Sequence, residues 1–316
     1  MKKIDAIIPC FNEEEVVETT YERLRGVFEL LEDFEWRIIF IDDGSSDNTL
    51  KLLQEIASHE RRVSVLSFSR NFGHEAATSA GLHNSYGDLI VILDADLQDP
   101  PELIPEMISV CQKEACDVVY GVRRHREGEK ALRRFLAKLF YRALQVLSDQ
   151  EIPVDAGDFR LITRDVVQAF CEFGEKARFV RGILAYAGFK QVPFLFDRKP
   201  RAGGKTKYSY RRLASLALDI VLSHSAKPLK IATHLGIWSV VASLLLIAYI
   251  LAGRLIAPVP GWASIMATIV FYGGVQLFTI GILGRFLSTV LTETKNRPVY
   301  VIRKRINMPS LQRKRA

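Results

Sequence analysis

Residues 91–102 read VILDADLQDPPE, an apolar run that ends in Asp94, Asp96 and Asp99 and then a double proline. Val91, Ile92 and Leu93 have the character of a strand buried on both faces, as in a parallel sheet. Carboxylates crowded at such a strand end repel one another. One resolution is a solvated turn, because Asp and Pro are common turn residues. The other is a divalent cation that itself holds a phosphate, and hard oxygen ligands suit Mg²⁺ or Mn²⁺. Asp94 and Asp96 stand two residues apart, so both point one way if the pleat continues, and Gln98 extends the alternation. One carboxylate can then reach a nucleotide ribose while the other binds the metal.

Other phosphate-binding devices are missing. No G-x-G-x-x-G follows the first apolar run, which removes the main support for a dinucleotide oxidoreductase. Gly204-Lys205-Thr206 ends like a phosphate-binding P-loop, but Lys199 stands where its first glycine belongs. Cys10, Cys111, Cys116 and Cys171 show no C-x-x-C spacing and read as reduced thiols rather than a zinc site.

The elements that must position these residues alternate. Apolar runs at 5–9, 36–42, 63–69, 88–94 and 117–121 are separated by helical patterns at 13–31, 47–59 and 102–114. This is the rhythm of an α/β, doubly wound, mostly parallel sheet. Ligands of such sheets bind beyond the carboxyl ends of the strands. PCFNEEE, DDGSSDNT and DADLQD follow the first, second and fourth runs and are expected to converge.

Farther along, KALRRFLAKLFYRALQVL (130–147) is a basic amphipathic helix, either on the core or on a membrane surface. DAGDFRL (155–161), RFVRG (178–182) and a strand-like KQVPFLF (190–196) follow, then the basic loop RKPRAGGKTKYS (198–209). Residues 231–252 and 258–284 contain few or no charged side chains, and each is long enough to cross about 30 Å of hydrocarbon. The net charge of +7 invites a nucleic-acid reading, but the cations flank these apolar segments. Arg211, Arg212, Lys227 and Lys230 precede the first, a strongly basic stretch follows the second, and Arg254 alone lies between them. By the positive-inside rule both ends face the cytoplasm, and the charge is a membrane signature with no nucleic-acid partner.

IPCFNEEE, FIDDGSSDNT, SRNFGHEAAT and LDADLQDPPE, in that order, resemble the successive motifs of family-2 glycosyltransferases with the GT-A fold. More narrowly, the whole chain is similar to the polyprenyl-phosphate glycosyltransferases, the dolichol-phosphate mannose synthase and bactoprenol glucosyltransferase group. The resemblance implies a Rossmann-like GT-A domain over 1–208, an interfacial amphipathic helix over 209–229, two transmembrane helices within 230–291, and a basic cytoplasmic tail over 292–316. The protein would be integral to the cytoplasmic membrane, with the catalytic domain and both termini cytoplasmic.

The resemblance also assigns roles. Pro9, Asn12 and Glu14 would line the base and ribose pocket, and Asp42 would accept the uracil N–H unless it merely caps the DDGS turn. Asp94, Asp96 and Gln98 would hold Mg²⁺ or Mn²⁺ and the diphosphate. Arg123 would pair with the sugar nucleotide or stand as a surface charge, and Asn71 and His74 lie beside the site, His74 as a structural or sugar-contacting residue. Asp155 or Asp158 would orient the acceptor or the sugar hydroxyls, or else cap the helix that begins near Thr163. Arg201, Lys205 and Lys207 would bind the acceptor phosphate.

The implied reaction is inverting transfer of one hexose, glucose from UDP-glucose, to polyprenyl phosphate. Mannose from GDP-mannose and an aminoarabinose donor are the alternatives within the class. A processive polysaccharide synthase is disfavoured because Q-x-x-R-W is absent. A membrane scaffold that binds nucleotide without turnover is the reading from another class. The sequence leaves a homo-oligomer open.

Overall fold

The computed structural model describes residues 1–123, 156–175, 180–197 and 261–308, with a few positions between 234 and 248. Strands β1 (Lys2–Cys10), β2 (Phe34–Asp42), β3 (Val63–Phe68), β4 (Leu89–Ile92), β5 (Val118–Arg123), β6 (Ala156–Thr163), β7 (Gln191–Phe196) and β8 (Ile302–Ile306) form one sheet. Their order is β7-β5-β6-β4-β1-β2-β3-β8. β1 pairs in parallel with β2 and β4, β2 with β3, and β5 with β7. β6 enters antiparallel between β4 and β5, and β8 lies antiparallel on β3. The result is a GT-A-like α/β sheet, mixed rather than purely parallel.

Alternation along the strands builds two cores. Ile4, Ala6 and Ile8 of β1 face one side, where α1 (Val17–Glu29), α2 (Thr49–His59) and α4 (Ile104–Glu114) add Leu24, Phe28, Leu53 and Met107. Ile7, Ile39 and Ile41 face the other side. There α3 (His74–His83), α5 (Arg164–Glu172) and α6 (Val180–Tyr186) add Ala77, Ala80, Phe170 and Ile183. With both faces covered, the central strands read as continuous apolar runs, which is why they were visible in the sequence.

The basic tail expected over 292–316 is corrected in part. Residues 302–306, IRKRI, are strand β8 at the sheet edge. Ile302 and Ile306 are the half-buried positions, and Arg303, Lys304 and Arg305 are exposed. Charges of this kind protect an edge strand from further pairing. Residues 297–308 belong to the same compact unit as the rest of the sheet.

A second unit contains residues 261–296 and the described positions between 234 and 248. Its α7 (Trp262–Thr294) has 33 residues and is about 50 Å long at the usual helical rise. Phe271–Thr294 is, among the described residues, the one helical segment long and apolar enough to cross a membrane. It overlaps the expected second span, 258–284, and runs on past it through Arg285 and Glu293. Phe271, Leu277, Phe278 and Leu287 stand exposed along it. The first expected span, 231–252, is helical at its described positions, and its remaining residues lie outside the described set. So do the amphipathic segments at 130–147 and 209–229.

Candidate active site

The carboxyl ends of β1, β2, β3 and β4 carry four loops, and the first two are laced together. The Asn12 N–H donates to Ser45 Oγ at 3.0 Å, and Asn12 Oδ1 accepts from the Ser46 N–H at 2.8 Å. Asn12 sits at φ 55°, in the left-handed region that asparagine tolerates. Glu14 Oε2 accepts from the Asn48 backbone N–H at 2.9 Å and from its Nδ2 at 2.8 Å. These side chains, expected to line a nucleotide pocket, have oxygens committed to the loop over 44–48. Pro9 lies within β1, opposite Ile41.

At the end of β2, Asp42 is buried. Its Oδ1 accepts from the Ser45 N–H at 3.0 Å, which is the turn cap weighed above, and its Oδ2 accepts from Ser67 Oγ at 2.8 Å. Asp43, which the sequence reading passed over, accepts from the Phe72 N–H at 2.7 Å and the Gly73 N–H at 2.9 Å. Burial raises the Asp43 carboxyl above its usual range, against the pull of those two donors. Gly44, at φ 68°, lies so close to the Arg70 carbonyl carbon that a Cβ would stand 2.4 Å from it. The 69–73 loop is therefore seated on the DDG turn.

That seating places His74, the first residue of α3. Its Nε2 is 3.7 Å from Asp94 Oδ1 and 3.5 Å from Asp158 Oδ2. Asp94 follows β4 and Asp158 lies in β6, so the antiparallel insertion of β6 beside β4 brings them together. Asp158 is held by a two-bonded fork from Arg181 of α6, Nε to Oδ1 at 2.9 Å and Nη2 to Oδ2 at 2.9 Å. It does not cap the helix after Thr163. Burial pushes the Asp158 carboxyl up, but Arg181 and His74 outweigh it and hold the group well below the usual carboxylate range. Burial alone would lower the His74 imidazole; Asp94 and Asp158 outweigh it and raise it above its usual value. Beside them burial raises Glu75, whose Oε2 accepts from the Val180 N–H at 3.0 Å. Arg160 is buried in β6 and donates to the Gly157 carbonyl; burial lowers it to about 10.

The ligand atoms of His74, Asp94 and Asp158 lie within 4.8 Å of one another. Two carboxylates supply the hard oxygens that Mg²⁺ and Mn²⁺ take, and His74 adds a nitrogen. Arg181 engages one lone pair on each Asp158 oxygen, and a carboxylate has about four such sites. The residues therefore fit a divalent cation, with His74 among the candidate ligands rather than only beside them. Asp96 is not in this group: it is buried, and its Oδ1 accepts from the Gln98 N–H at 3.1 Å. Leu97 between them has φ 57°, the mark of a tight turn, and Thr20 of α1 donates to the Ala95 carbonyl at 2.7 Å.

Of the other expected residues, Asn71 is exposed in the 69–73 loop and Arg123 ends β5, paired with Phe196. Asp155, Arg201, Lys205 and Lys207 lie outside the described residues.

A family model for glycosyl transferase family 2 matches residues 5–170. An uncharacterized glycosyltransferase of Synechocystis is 42% identical over 307 residues, covering 95% of this chain and 94% of its own. The bactoprenol glucosyl transferase of Shigella phage SfII is 38% identical over 304 residues, covering 96% of this chain and 98% of its own. Glucosyl-3-phosphoglycerate synthase of Mycobacterium tuberculosis, solved with Mn²⁺ and UDP, aligns at 19% identity and a TM-score of 0.47 over 70% of this chain and 76% of its own, too distant to carry function.

Proposed function

Because the chain belongs to glycosyl transferase family 2, we propose that it transfers one glucose, with inversion, from UDP-glucose to a polyprenyl phosphate in the cytoplasmic membrane. The observation that carries this reading is the match to the bactoprenol glucosyl transferases, which runs through the apolar helices and the tail as well as the catalytic sheet. A lipid monophosphate has a second pKa of about 6, so its oxygen is a ready nucleophile at neutral pH. That oxygen forms a bond to the anomeric carbon from the face opposite the diphosphate. The bond from that carbon to the UDP oxygen breaks, and its electron pair leaves with UDP. No proton has to be removed first, so no general base is needed. Asp158, held ionised by Arg181, serves as a fixed negative charge and an orienting group. A divalent cation, when bound, offsets the charge that develops on the leaving diphosphate.

Within this reading His74, Asp94 and Asp158 would hold the cation, and Asp96 and Gln98 stand toward the diphosphate. Asn12, Glu14 and Asp42 shape the loops against which the uridine lies, with Pro9, Asn71 and Arg123 at their margins. Arg201, Lys205 and Lys207 take the acceptor phosphate, and Asp155 has the role of orienting the acceptor. The chain is organised as a catalytic domain over 1–208, an interfacial helix over 209–229 and two crossings within 230–291.

One feature of the fold supports that topology. A chain that leaves the sheet before 208 and returns to the same sheet at β8 crosses any intervening membrane an even number of times. If Phe271–Thr294 crosses once, the apolar segment at 231–252 supplies the other passage. Both termini then share the catalytic compartment, where the positive-inside rule also puts the flanking cations.

A panel of UDP-glucose, GDP-mannose and a UDP-aminoarabinose donor, offered with polyprenyl phosphate, tests the donor. Lipid-linked glucose from UDP-glucose alone is the expected result. Product from GDP-mannose would move the protein to the mannose branch, and nucleotide binding without any lipid-linked sugar would make it a scaffold.

A further inference from the structure

The chain beyond α7 does more than finish the sheet. Its far end is anchored by Asn307, at φ 50°, whose Nδ2 donates to the Ala57 carbonyl at 2.6 Å and the Val63 carbonyl at 3.0 Å. Its own carbonyl accepts from Ser64 Oγ at 2.8 Å, and Arg305 donates to Asn84 Oδ1 at 2.8 Å. Its near end lies on the root of the loop that presents His74. The Val301 carbonyl accepts from the Ser69 N–H at 2.9 Å, at the first residue past β3. The Tyr300 ring stacks on Phe68, with centroids 5.1 Å apart and planes 9° from parallel. Phe68 in turn meets the edge of Phe72 at 5.7 Å, and the Phe72 N–H is one of the two that Asp43 holds. Tyr300 also meets the His83 ring, 6.4 Å away at the other end of α3. One ring thus touches the residue before the loop and the last residue of the helix that His74 begins.

We propose that residues 299–307 are a positioning element for the 69–74 loop, with Tyr300 as its positioning residue. The chain that follows the apolar helix thereby sets where His74 stands relative to Asp94 and Asp158. That His74 matters to transfer rests on the functional reading above; that Tyr300 holds the loop does not. Asp43 fixes the loop from the β2 side through hydrogen bonds, and Tyr300 fixes it from the β3 side through ring packing. An aromatic pair of this geometry is favourable beyond its buried area. Geometric errors of about 1 Å at a reacting centre cost about a hundredfold in rate.

The test uses the full-length protein carrying Tyr300→Ala, Tyr300→Leu or Tyr300→Phe, with Lys304→Ala as an exposed control on the same strand. Hydrogen exchange of the amides at 69–74 is measured at a temperature where each variant is folded, together with Mn²⁺-dependent UDP binding and the kcat and donor KM of transfer. Tyr300→Ala is expected to speed exchange in the loop by about tenfold, corresponding to weakened local protection. It should lower kcat by about tenfold to a hundredfold. Tyr300→Phe keeps the ring and should match the wild type, as should Lys304→Ala. Tyr300→Leu keeps apolar bulk without a ring face, and serves if the alanine variant does not fold. Wild-type exchange at 69–74 in a folded Tyr300→Ala or Tyr300→Leu variant would overturn the proposal. Faster exchange with no transfer by the wild type would uphold Tyr300's role and reject the functional reading instead.

Discussion

Asp43 and His74 together show how far single residues can be read. The DDGS motif draws attention to Asp42, yet in the fold Asp42 caps its own turn while Asp43 carries the 72–73 backbone. Nothing in the sequence distinguishes the two carboxylates, because the difference lies in which one faces a loop thirty residues away. Asp43→Ala would leave two N–H donors without their acceptor. A loss of about 1–3 kcal/mol in unfolding free energy is expected, measured by denaturant titration, with a smaller loss for Asp43→Asn, which keeps one acceptor oxygen. His74 makes a pH prediction. Its pKa is raised in the fold above 6.5, so its favourable pairing with Asp94 and Asp158 is fully present below the unfolded value and is lost as pH rises through the folded value. In metal-free protein the thermal midpoint of the wild type should therefore fall on that rise relative to His74→Gln, which removes the titration. Equal slopes for the two proteins would contradict the pairing. Asp94 stands out in the sequence through its D-x-D spacing, whereas its grouping with His74 and Asp158 depends on the placing of β3, β4 and β6 and does not.

Among the elements, β1 to β5 were readable because strands covered on both faces leave uninterrupted apolar runs. β6 was seen only as the motif DAGDFRL, since Asp158 and Arg160 interrupt its apolar pattern. Asp158 belongs to the candidate site and Arg160 lies beside it, so the residues that hide the element are the ones that matter to the proposal. β8 was hidden differently: an edge strand with two half-buried isoleucines and three exposed cations has the composition of a tail. The seating of the 69–73 loop on the DDG turn is an element-scale prediction. Gly44→Ala would drive a Cβ into the Arg70 backbone at a positive φ that alanine resists. The variant should lose at least about 1–2 kcal/mol of stability, read from its denaturation midpoint. An unchanged midpoint would mean that the loop does not rest there.

At the scale of the whole molecule, a long apolar helix, Trp262–Thr294, lies in the chain between two parts of one sheet. The apolar segments were legible from composition, but their relation to the sheet was not, because it depends on the return of β8. Reporters fused after Ala316 and within 253–257, between the two apolar segments of the sequence, should report opposite compartments, the C-terminal one cytoplasmic; a C-terminal reporter outside would break the even count. In the proposed function, a metal-assisted cluster containing Asp94 moves glucose from UDP-glucose to a lipid phosphate. Its most direct test is the initial rate of glucosyl-lipid formation by the purified protein in lipid, with excess EDTA, with added Mn²⁺ or Mg²⁺, and with Asp94→Asn. No product is expected in EDTA, with recovery on adding either ion, and no recovery at any ion concentration in a folded Asp94→Asn variant; full activity in EDTA, or a wild-type rate in the variant, would overturn the proposed mechanism.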